Sequence, residues 1–314
     1  MRILITGGNG YVGRVLTRHL CNEHSVALLD SLRLPLRFDE SEMKNFVLHR
    51  TDIRDYKAVE QVFAAFTPQV VIHLAAIHFI PECEVHPDDG IAINTLGTVN
   101  LLRALSPGTR FVFASTAAVY AAEDRPHDEV TSPVGPMDVY GLTKLHAEEY
   151  IRYWTKQKAI DARIVRLFNV VGPGETNPHL LPAILAQVLK GTRTLRLGNC
   201  HPKRDYIHVQ DAARGFSAVA LAGEIAPGLD TVNLGTGTGY SVYDVVDELS
   251  KVIGEPLKIE TDAARLRASD RPFLSAATQR IRSKYGWAPS MSLHDSLRDL
   301  WQNPDIPAEL LDRS

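Results

Sequence analysis

The stretch Thr6-Gly7-Gly8-Asn9-Gly10-Tyr11-Val12-Gly13 follows the apolar run Ile3-Leu4-Ile5 and opens an amphipathic segment. Its regularly spaced glycines let the backbone turn sharply and approach a pyrophosphate closely, and the start of a helix offers free N–H groups to the anion. Because the glycines stand between a predicted strand and a predicted helix, the stretch predicts a dinucleotide-binding turn. The cofactor-binding residues predicted within it are Gly7, Gly10, Tyr11, Val12 and Gly13.

Asp30 is a carboxylate at the position where a dinucleotide-binding fold holds the ribose. Asp30 ends the second predicted strand, 20 residues after Gly10, and would accept hydrogen bonds from a ribose diol. Its negative charge would repel a 2′-phosphate, which favours NAD over NADP, although Arg33 nearby weakens that preference. The sequence therefore predicts NAD as the cofactor and Asp30 as one of its ligands.

The first half of the chain alternates short apolar runs with longer amphipathic stretches, which predicts repeated βαβ units around a parallel sheet. We expect an α/β protein with a Rossmann-type doubly wound parallel sheet over residues 1–170 and a smaller C-terminal α/β substrate lobe over 171–314, with some crossing of the chain between the lobes. The predicted strands of the sheet are 2–6, 25–29, 46–49, 70–74, 111–114 and 163–167. In the second lobe we expect helices near 180–190, 210–221 and 241–253, and strands near 195–197, 231–234 and 257–260.

Composition favours a small-molecule enzyme. The formal net charge is −3 and the basic residues are scattered, so we expect neither a nucleic-acid partner nor a membrane partner. No charged leader or long apolar run is present, from which we expect a cytoplasmic protein. Three separated cysteines indicate reduced thiols, and the histidines at 73, 78 and 208 lack ligand spacing, so no metal site is expected.

The pair Tyr140 and Lys144 places a phenol and an ammonium one helical turn apart. A neighbouring cation favours phenolate, so Lys144 is expected to lower the pKa of Tyr140 toward the range of a general base, and it can also bond a ribose. Taken alone, the spacing fits an ordinary surface pair better than it fits catalysis. The stretch 113–120 at the end of the preceding predicted strand reverses this balance in favour of catalysis.

With these motifs the sequence resembles, over nearly its whole length, the extended short-chain dehydrogenase/reductase family and, within it, the nucleotide-sugar epimerases related to UDP-glucose 4-epimerase. From the residues alone, Asp52 fits a helix cap and Asn94 a satisfied helix residue as well as they fit cofactor ligands. Further cofactor contacts implied by the resemblance are Asp52, Ile53, Leu74, Ala75, Ala76, Asn94, Ser115, Tyr140 and Lys144.

The resemblance also implies the reaction. Thr116, where 4-epimerases usually have serine, would bond the sugar hydroxyl beside Tyr140 and Lys144 as the third catalytic residue. Dehydratases and decarboxylases of the family carry an acid just beyond this hydroxyl, whereas Ala117 and Ala118 stand here and cannot transfer a proton. We therefore expect an NAD-dependent nucleotide-sugar 4-epimerase, an isomerase working through a transient 4-keto sugar.

The second lobe resembles the family's nucleotide-sugar site. Arg204 would bind the diphosphate, since a guanidinium donates two parallel charged hydrogen bonds. Ser269 replaces the glycine of the family's R-x-G-D box, and Thr176 replaces an arginine of uronic-acid epimerases, which favours a neutral UDP-hexose. The substrate contacts implied are Thr116, Tyr140, Asn169, His179, Leu180, Leu195, Leu197, Arg204, Tyr206, Arg267 and Asp270.

Two alternatives remain open. One is a dehydratase, decarboxylase or ketosugar reductase acting on a nucleotide sugar, and the other is a non-catalytic NAD-sensing protein, which would not need Thr116, Tyr140 and Lys144 together. A homodimer formed through the helices near 90–104 and 138–157 is implied only by the resemblance.

Overall fold

The computed structural model describes residues 1–175, 177–263 and 271–306. Its strands are β1 (Arg2–Thr6), β2 (Ser25–Asp30), β3 (Phe46–Arg50), β4 (Val70–His73), β5 (Arg110–Thr116), β6 (Asp161–Leu167), β7 (Asn169–Val171), β8 (Thr194–Leu197), β9 (Lys203–His208), β10 (Gly228–Leu234), β11 (Gly239–Tyr240), β12 (Lys258–Thr261) and β13 (Phe273–Leu274).

The α-helices are α1 (Tyr11–Leu20), α2 (Tyr56–Phe66), α3 (Ile80–Val85), α4 (Pro87–Gly90), α5 (Thr98–Ala104), α6 (Val139–Lys158), α7 (Leu180–Leu189), α8 (Val209–Leu221), α9 (Val242–Ile253), α10 (Gln279–Tyr285) and α11 (Leu293–Gln302). A π-helical segment (Ile91–Gly97) leads into α5. Within the described ranges, no helix combines the length and the hydrophobicity needed to cross a membrane.

Seven parallel strands form the large sheet in the order β10-β6-β5-β4-β1-β2-β3. All six strands expected from the sequence lie in it, and the α/β prediction with a doubly wound parallel sheet is confirmed. The strand order reverses between β1 and β4, so the loops after these two strands leave in opposite directions. Open α/β sheets bind their ligands in the crevice outside the carboxyl ends at such a point.

Helices cover both faces of the large sheet, which is why its central strands are apolar on both sides. One face packs against α1 and α8 through a core that includes Leu16 and Phe216. The other face packs against α2, α5 and α6 through residues such as Phe63 and Ile151. These helices lie on the faces of the sheet and leave the carboxyl ends of its strands uncovered.

A smaller mixed sheet joins β9 to β7, β11 and β13, and a two-stranded sheet pairs β8 with β12. Helices α7, α9 and α11 pack on these strands around a separate apolar core. The chain crosses between the two parts, because α8 covers the large sheet and β10 extends it as its seventh strand. The second part thus begins at β7, which follows β6 after a single intervening residue. Its smaller sheet lies over the carboxyl ends of the strands of the large sheet.

Candidate active site

A cleft of about 1370 Å³ opens above the carboxyl ends of the large sheet, where the smaller sheet faces it. Pockets for a single drug-sized ligand span roughly 300–1,000 Å³, so this cleft has room for more than one. The glycine turn and Asp30 line one end of it, and Tyr140, Asn169 and Arg204 line other parts of its wall.

The glycine turn has no room for side chains. Gly7 has a φ of +72°, and a Cβ at this position would lie 2.7 Å from the backbone nitrogen of Ala75. At Gly13 a Cβ would come within 2.2 Å of the Gly7 carbonyl oxygen. Helix α1 begins after Gly10 with no side-chain cap, so the N–H groups of its first turn have no side-chain acceptor there. This leaves donors that a pyrophosphate can use.

Asp30 is held in a fixed orientation at the end of β2. One carboxylate oxygen accepts a hydrogen bond from the Asn9 N–H at 2.9 Å, and the other accepts from the Leu32 N–H at 2.8 Å. The guanidinium of Arg33 pairs with Glu82 of α3. The carboxylate therefore lines the cleft on a rigid support, while the nearby cation is paired elsewhere.

All the other predicted cofactor residues except Asn94 line the cleft. Ile53, Leu74, Ala75 and Ala76 line the cleft, as do Tyr11, Val12 and Ser115. Asp52 also lines the cleft, and its carboxylate is paired with Arg54 at 2.7 Å.

The side chain of Asn94 lies behind the cleft wall instead of on it. It is fully buried, accepts a hydrogen bond from the Ile77 N–H at 2.8 Å and donates to the Ile77 carbonyl at 2.9 Å and to Thr143 Oγ1 at 3.1 Å. Because the oxygen and the nitrogen of its amide are both hydrogen-bonded, Asn94 holds the loop after β4 in place from the protein interior.

Tyr140, Thr116 and Lys144 meet at the start of α6. The side chain of Thr116 reaches from the end of β5 to the phenol of Tyr140 as a hydrogen-bond partner. The ammonium of Lys144 donates to the Ala114 carbonyl at 2.8 Å and lies 4.7 Å from the centre of the Phe113 ring. The structure therefore brings the three predicted catalytic side chains to one point of the cleft.

The expected effect of Lys144 on Tyr140 was wrong. Burial raises the pKa of Tyr140 well above its usual value, and a hydrogen bond from Thr116 offsets only part of this rise. The reason is that the ammonium points at β5 and is itself desolvated, since burial lowers the pKa of Lys144 to about 7.

Most of the predicted substrate residues share the same cleft. Asn169, Leu180 and Leu197 line it, and so do His179, Arg204 and Tyr206. The guanidinium of Arg204 also donates to the Arg271 carbonyl at 2.8 Å, which fixes its direction.

One predicted substrate residue, Leu195, lies away from the cleft surface. Alternate residues of β8 point inward, so Leu195 and Leu197 both face the core of the smaller part. Leu195 is fully buried there, whereas Leu197 also lines the cleft. Arg267 and Asp270 lie outside the described residues, as does Thr176.

Sequence reasoning missed a second set of polar residues in the cleft wall. Arg271 is buried and donates to the Ala118 carbonyl at 2.8 Å, two residues after Thr116. His78 bonds the Asn177 amide at 2.9 Å, and His179 lies 3.2 Å from the carboxylate of Glu175. No local pattern predicts the contacts of Arg271 and His78, because segments far apart in sequence form them, whereas Glu175 pairs with His179 four residues further along the chain. Within the described ranges, no three side chains of His, Cys, Asp or Glu are grouped as a metal site requires.

Known proteins share this architecture. The model of the NAD dependent epimerase/dehydratase family matches residues 3–235. A UDP-glucose 4-epimerase of Streptomyces lividans is 33% identical over 96% of this chain and 95% of that protein. The crystal structure of UDP-glucose 4-epimerase from Bifidobacterium longum in complex with NAD+ and UDP has a TM-score of 0.86 and 25% identity, covering 97% of this chain and 99% of that one. A UDP-glucose 4-epimerase of Thermus thermophilus in complex with NAD has a TM-score of 0.82 and 27% identity, covering 96% and 98%.

Proposed function

The chain belongs to the NAD-dependent epimerase/dehydratase family, and we propose that it is a nucleotide-sugar 4-epimerase acting on a UDP-hexose of the UDP-glucose/UDP-galactose type. Its cofactor is NAD, and its relatives are isomerases. We assign NAD binding to residues 1–170 and binding of the nucleotide sugar to residues 171–314, each part supplying one wall of the cleft.

The observation that carries the proposal is the meeting of Thr116, Tyr140 and Lys144 beside two buried alanines. Ala117 and Ala118 follow Thr116 directly and offer no proton-transfer group for elimination. Two carboxylates of the cleft wall nearby are engaged by the start of α6, since Glu84 accepts from the Val139 N–H and Asp138 from the Gly141 N–H. One acid/base at Tyr140 is sufficient for epimerisation.

The residues present fit NAD. The uncapped start of α1 offers N–H donors for the pyrophosphate, the oriented carboxylate of Asp30 suits a ribose diol, and apolar side chains such as Ile53 and Leu74 line the walls for the rings. Lys144 would bond the nicotinamide-side ribose. A bound NAD would supply the acceptor, and afterwards the donor, of a hydride at C4 of the sugar.

Tyr140 moves the proton in this mechanism. Its phenolate oxygen takes the proton of the C4 hydroxyl, and the hydroxyl of Thr116, the hydrogen-bond partner of Tyr140, would lie beside that sugar hydroxyl. After the resulting 4-keto sugar has turned over in the cleft, Tyr140 returns the proton to the carbonyl oxygen. Arg204 and Asn169 would keep the diphosphate in place during the turnover.

The substrate is proposed on chemistry and on the relatives. The relatives are UDP-glucose 4-epimerases, and the Bifidobacterium longum structure contains UDP with NAD+. Thr176 in place of an arginine favours a neutral sugar over a uronic acid. We extend the proposal to a cytoplasmic homodimer, in which the π-helical segment with α5 and helix α6 face their copies. Both helices expose large apolar side chains, among them Leu96 and Leu142.

Product analysis without added cofactor tests the function. Purified protein is incubated with UDP-glucose, UDP-galactose, their N-acetyl and uronic counterparts, and dTDP- and GDP-sugars, and the products are separated. We expect UDP-glucose and UDP-galactose to interconvert at unchanged mass. Loss of water or carbon dioxide, or a reaction only with added NADPH, would move the chain to the dehydratase, decarboxylase or reductase class. If no sugar reacts under any of these conditions, the NAD-sensing alternative remains.

A further inference from the structure

One face of α6 touches three successive residues of β5. Tyr140 meets the side chain of Thr116, and Lys144 one turn later donates to the carbonyl of Ala114. One further turn along, Glu148 accepts a hydrogen bond of 2.5 Å from the hydroxyl of Ser115. Residues four apart lie on the same face of a helix, so the third contact continues the row formed by the two catalytic residues.

Glu148 is fully buried and bonded on both carboxylate oxygens. One oxygen accepts from the Ser115 hydroxyl and from Arg166 Nε at 3.0 Å, and the other accepts from Arg166 Nη2 at 2.7 Å. Ser115 and Arg166 are register partners on the neighbouring strands β5 and β6. The Arg166 guanidinium lies 4.7 Å from the centre of the Tyr120 ring, so its own position is fixed. The carboxylate of Glu148 thus connects α6 to both β5 and β6 through hydrogen bonds.

From this geometry we propose, on the basis of the 4-epimerase function above, that Glu148 is a positioning residue that sets the register of α6 against β5. It thereby places Tyr140 against Thr116 and holds a negative charge next to Lys144. Glu148 touches neither sugar nor cofactor in this role. It acts through Ser115 and through the helix that carries both catalytic side chains.

The charges around Lys144 support the electrostatic part. Burial lowers the pKa of Lys144, whereas Cys83 of α3 and Glu148 of α6 raise it. His73 at the end of β4 and His78 beyond it also face the ammonium, and burial lowers the pKa of both rings, which keeps them neutral. Glu148 is therefore the nearby carboxylate that favours the charged form of Lys144. As pH rises through the pKa of Lys144, the ammonium is lost, and this happens at lower pH without the charge of Glu148.

Three variants distinguish the effect of the Glu148 charge from the effect of its contact with β5. Glu148→Gln keeps the shape and removes the charge, and we expect kcat to fall about 10- to 100-fold, with the alkaline limb of its pH profile shifted to lower pH. Ser115→Ala cuts the tie to β5 and keeps the charge, and we expect a fall of about fivefold without that shift. Glu149→Gln, at the next, solvent-exposed position, should match the wild type in both readouts.

The pKa of Lys144 is measured in parallel by NMR on protein labelled with ¹³C at lysine Cε, with Lys144→Arg to assign the signal. Glu148→Gln should lower this pKa and Glu149→Gln should leave it unchanged. If Glu148→Gln equals Glu149→Gln in kcat, in pH profile and in the Lys144 titration, the proposal is overturned. If Glu148→Gln does not fold, unchanged kcat in folded Ser115→Ala overturns the positioning role. A wild type that interconverts no sugar refutes the function, while the Lys144 titration still decides the role of Glu148.

Discussion

Tyr140 must reach its reactive state against the effect of burial. Burial raises the pKa of its phenol, and only the hydrogen bond from Thr116 acts in the opposite direction among the neighbours that shift it appreciably. The hydroxyl of Thr116 lowers the pKa of this phenol, while the ammonium of Lys144 donates to the Ala114 carbonyl of β5. In the proposed mechanism, the hydroxyl of Thr116 therefore favours the phenolate form of Tyr140.

Replacing Tyr140 with phenylalanine removes the proton acceptor and keeps the ring. We expect turnover to fall about 10²- to 10⁴-fold, the range of general acid/base catalysis, with NAD still bound. Tyr243→Phe, a change of the same size at an exposed position on α9, should leave turnover unaffected. Turnover is followed by product separation and bound NAD by its release on denaturation. Wild-type turnover in Tyr140→Phe would rule out the proposed proton transfer.

At the residue scale, the sequence predicts groups whose chemistry is local in the chain. The glycine turn, Asp30 and the Tyr140–Lys144 pair follow from spacing, and all of them lie in the cleft wall. Arg271 and His78 could not be predicted, because their partners come from distant parts of the chain. The electrostatic effect of Lys144 was misjudged because sequence spacing does not reveal where an ammonium points or how deeply it is buried.

At the scale of elements, the β1–turn–α1 unit depends on backbone contacts that exclude side chains. Gly13→Ala would place a methyl group 2.2 Å from the Gly7 carbonyl oxygen. Since overpacking typically costs about 1–3 kcal/mol, we expect a loss of this size in the free energy of unfolding, together with weaker NAD retention. Urea unfolding checks this against Gly228→Ala, where an added methyl group meets no atom within 4 Å. Equal stability of the two variants would contradict the predicted packing.

The end of α8 is held by two buried arginines. Arg110 donates to the Ala220 carbonyl and Arg163 to the Ala222 carbonyl, and both pair with the carboxylate of Asp161. Asp161→Ala leaves both cations without their shared carboxylate, and breaking a buried pair costs about 3–5 kcal/mol.

Urea denaturation measures that loss. The matched variant is Asp247→Ala, which breaks the exposed pair with Lys251 on α9 and should cost at most about 1 kcal/mol. A comparable loss in the two variants would show that the Asp161 pairs do not hold α8.

Elements were predictable where periodicity is strong. The expected six strands of the large sheet are all present, because buried parallel strands are continuous apolar runs. The strand predicted near 231–234 also exists as β10, but sequence pattern does not reveal that it pairs with β6 in the large sheet. The π-helical turn at Ile91–Gly97 was not predicted, since its apolar residues have the ordinary helical pattern.

At the scale of the whole molecule, the proposed homodimer depends on the surface formed by the π-helical segment and α6. The π-helical segment and α6 pack side by side, with Thr95 donating to the Thr143 carbonyl. Leu96 is 50% exposed on this surface. If the homodimer forms here, Leu96→Glu buries a charge in the interface and should yield monomers, whereas Val47→Glu on the edge strand β3 should not. Light scattering after gel filtration gives the mass, and a dimeric Leu96→Glu variant would place the interface elsewhere.

The crossing of the chain explains how a single cleft forms. Because α8 and β10 return to the large sheet between two excursions into the smaller part, the two walls are tied together by several connections. Sequence composition predicted the two lobes and some crossing, but only the fold shows that the smaller sheet faces the glycine turn.

Isotope tracing tests whether the sugar carbon keeps its own hydrogen through the reaction. The protein, with no cofactor added, is incubated with UDP-galactose carrying deuterium at C4, and the product is analysed by NMR and mass spectrometry. An enzyme that stores the C4 hydrogen on bound NAD and returns it to the same sugar yields UDP-glucose with deuterium retained at C4. Product that has lost the label, or that takes up deuterium at C4 from heavy water, would contradict this mechanism, and the absence of any product would contradict the proposed function.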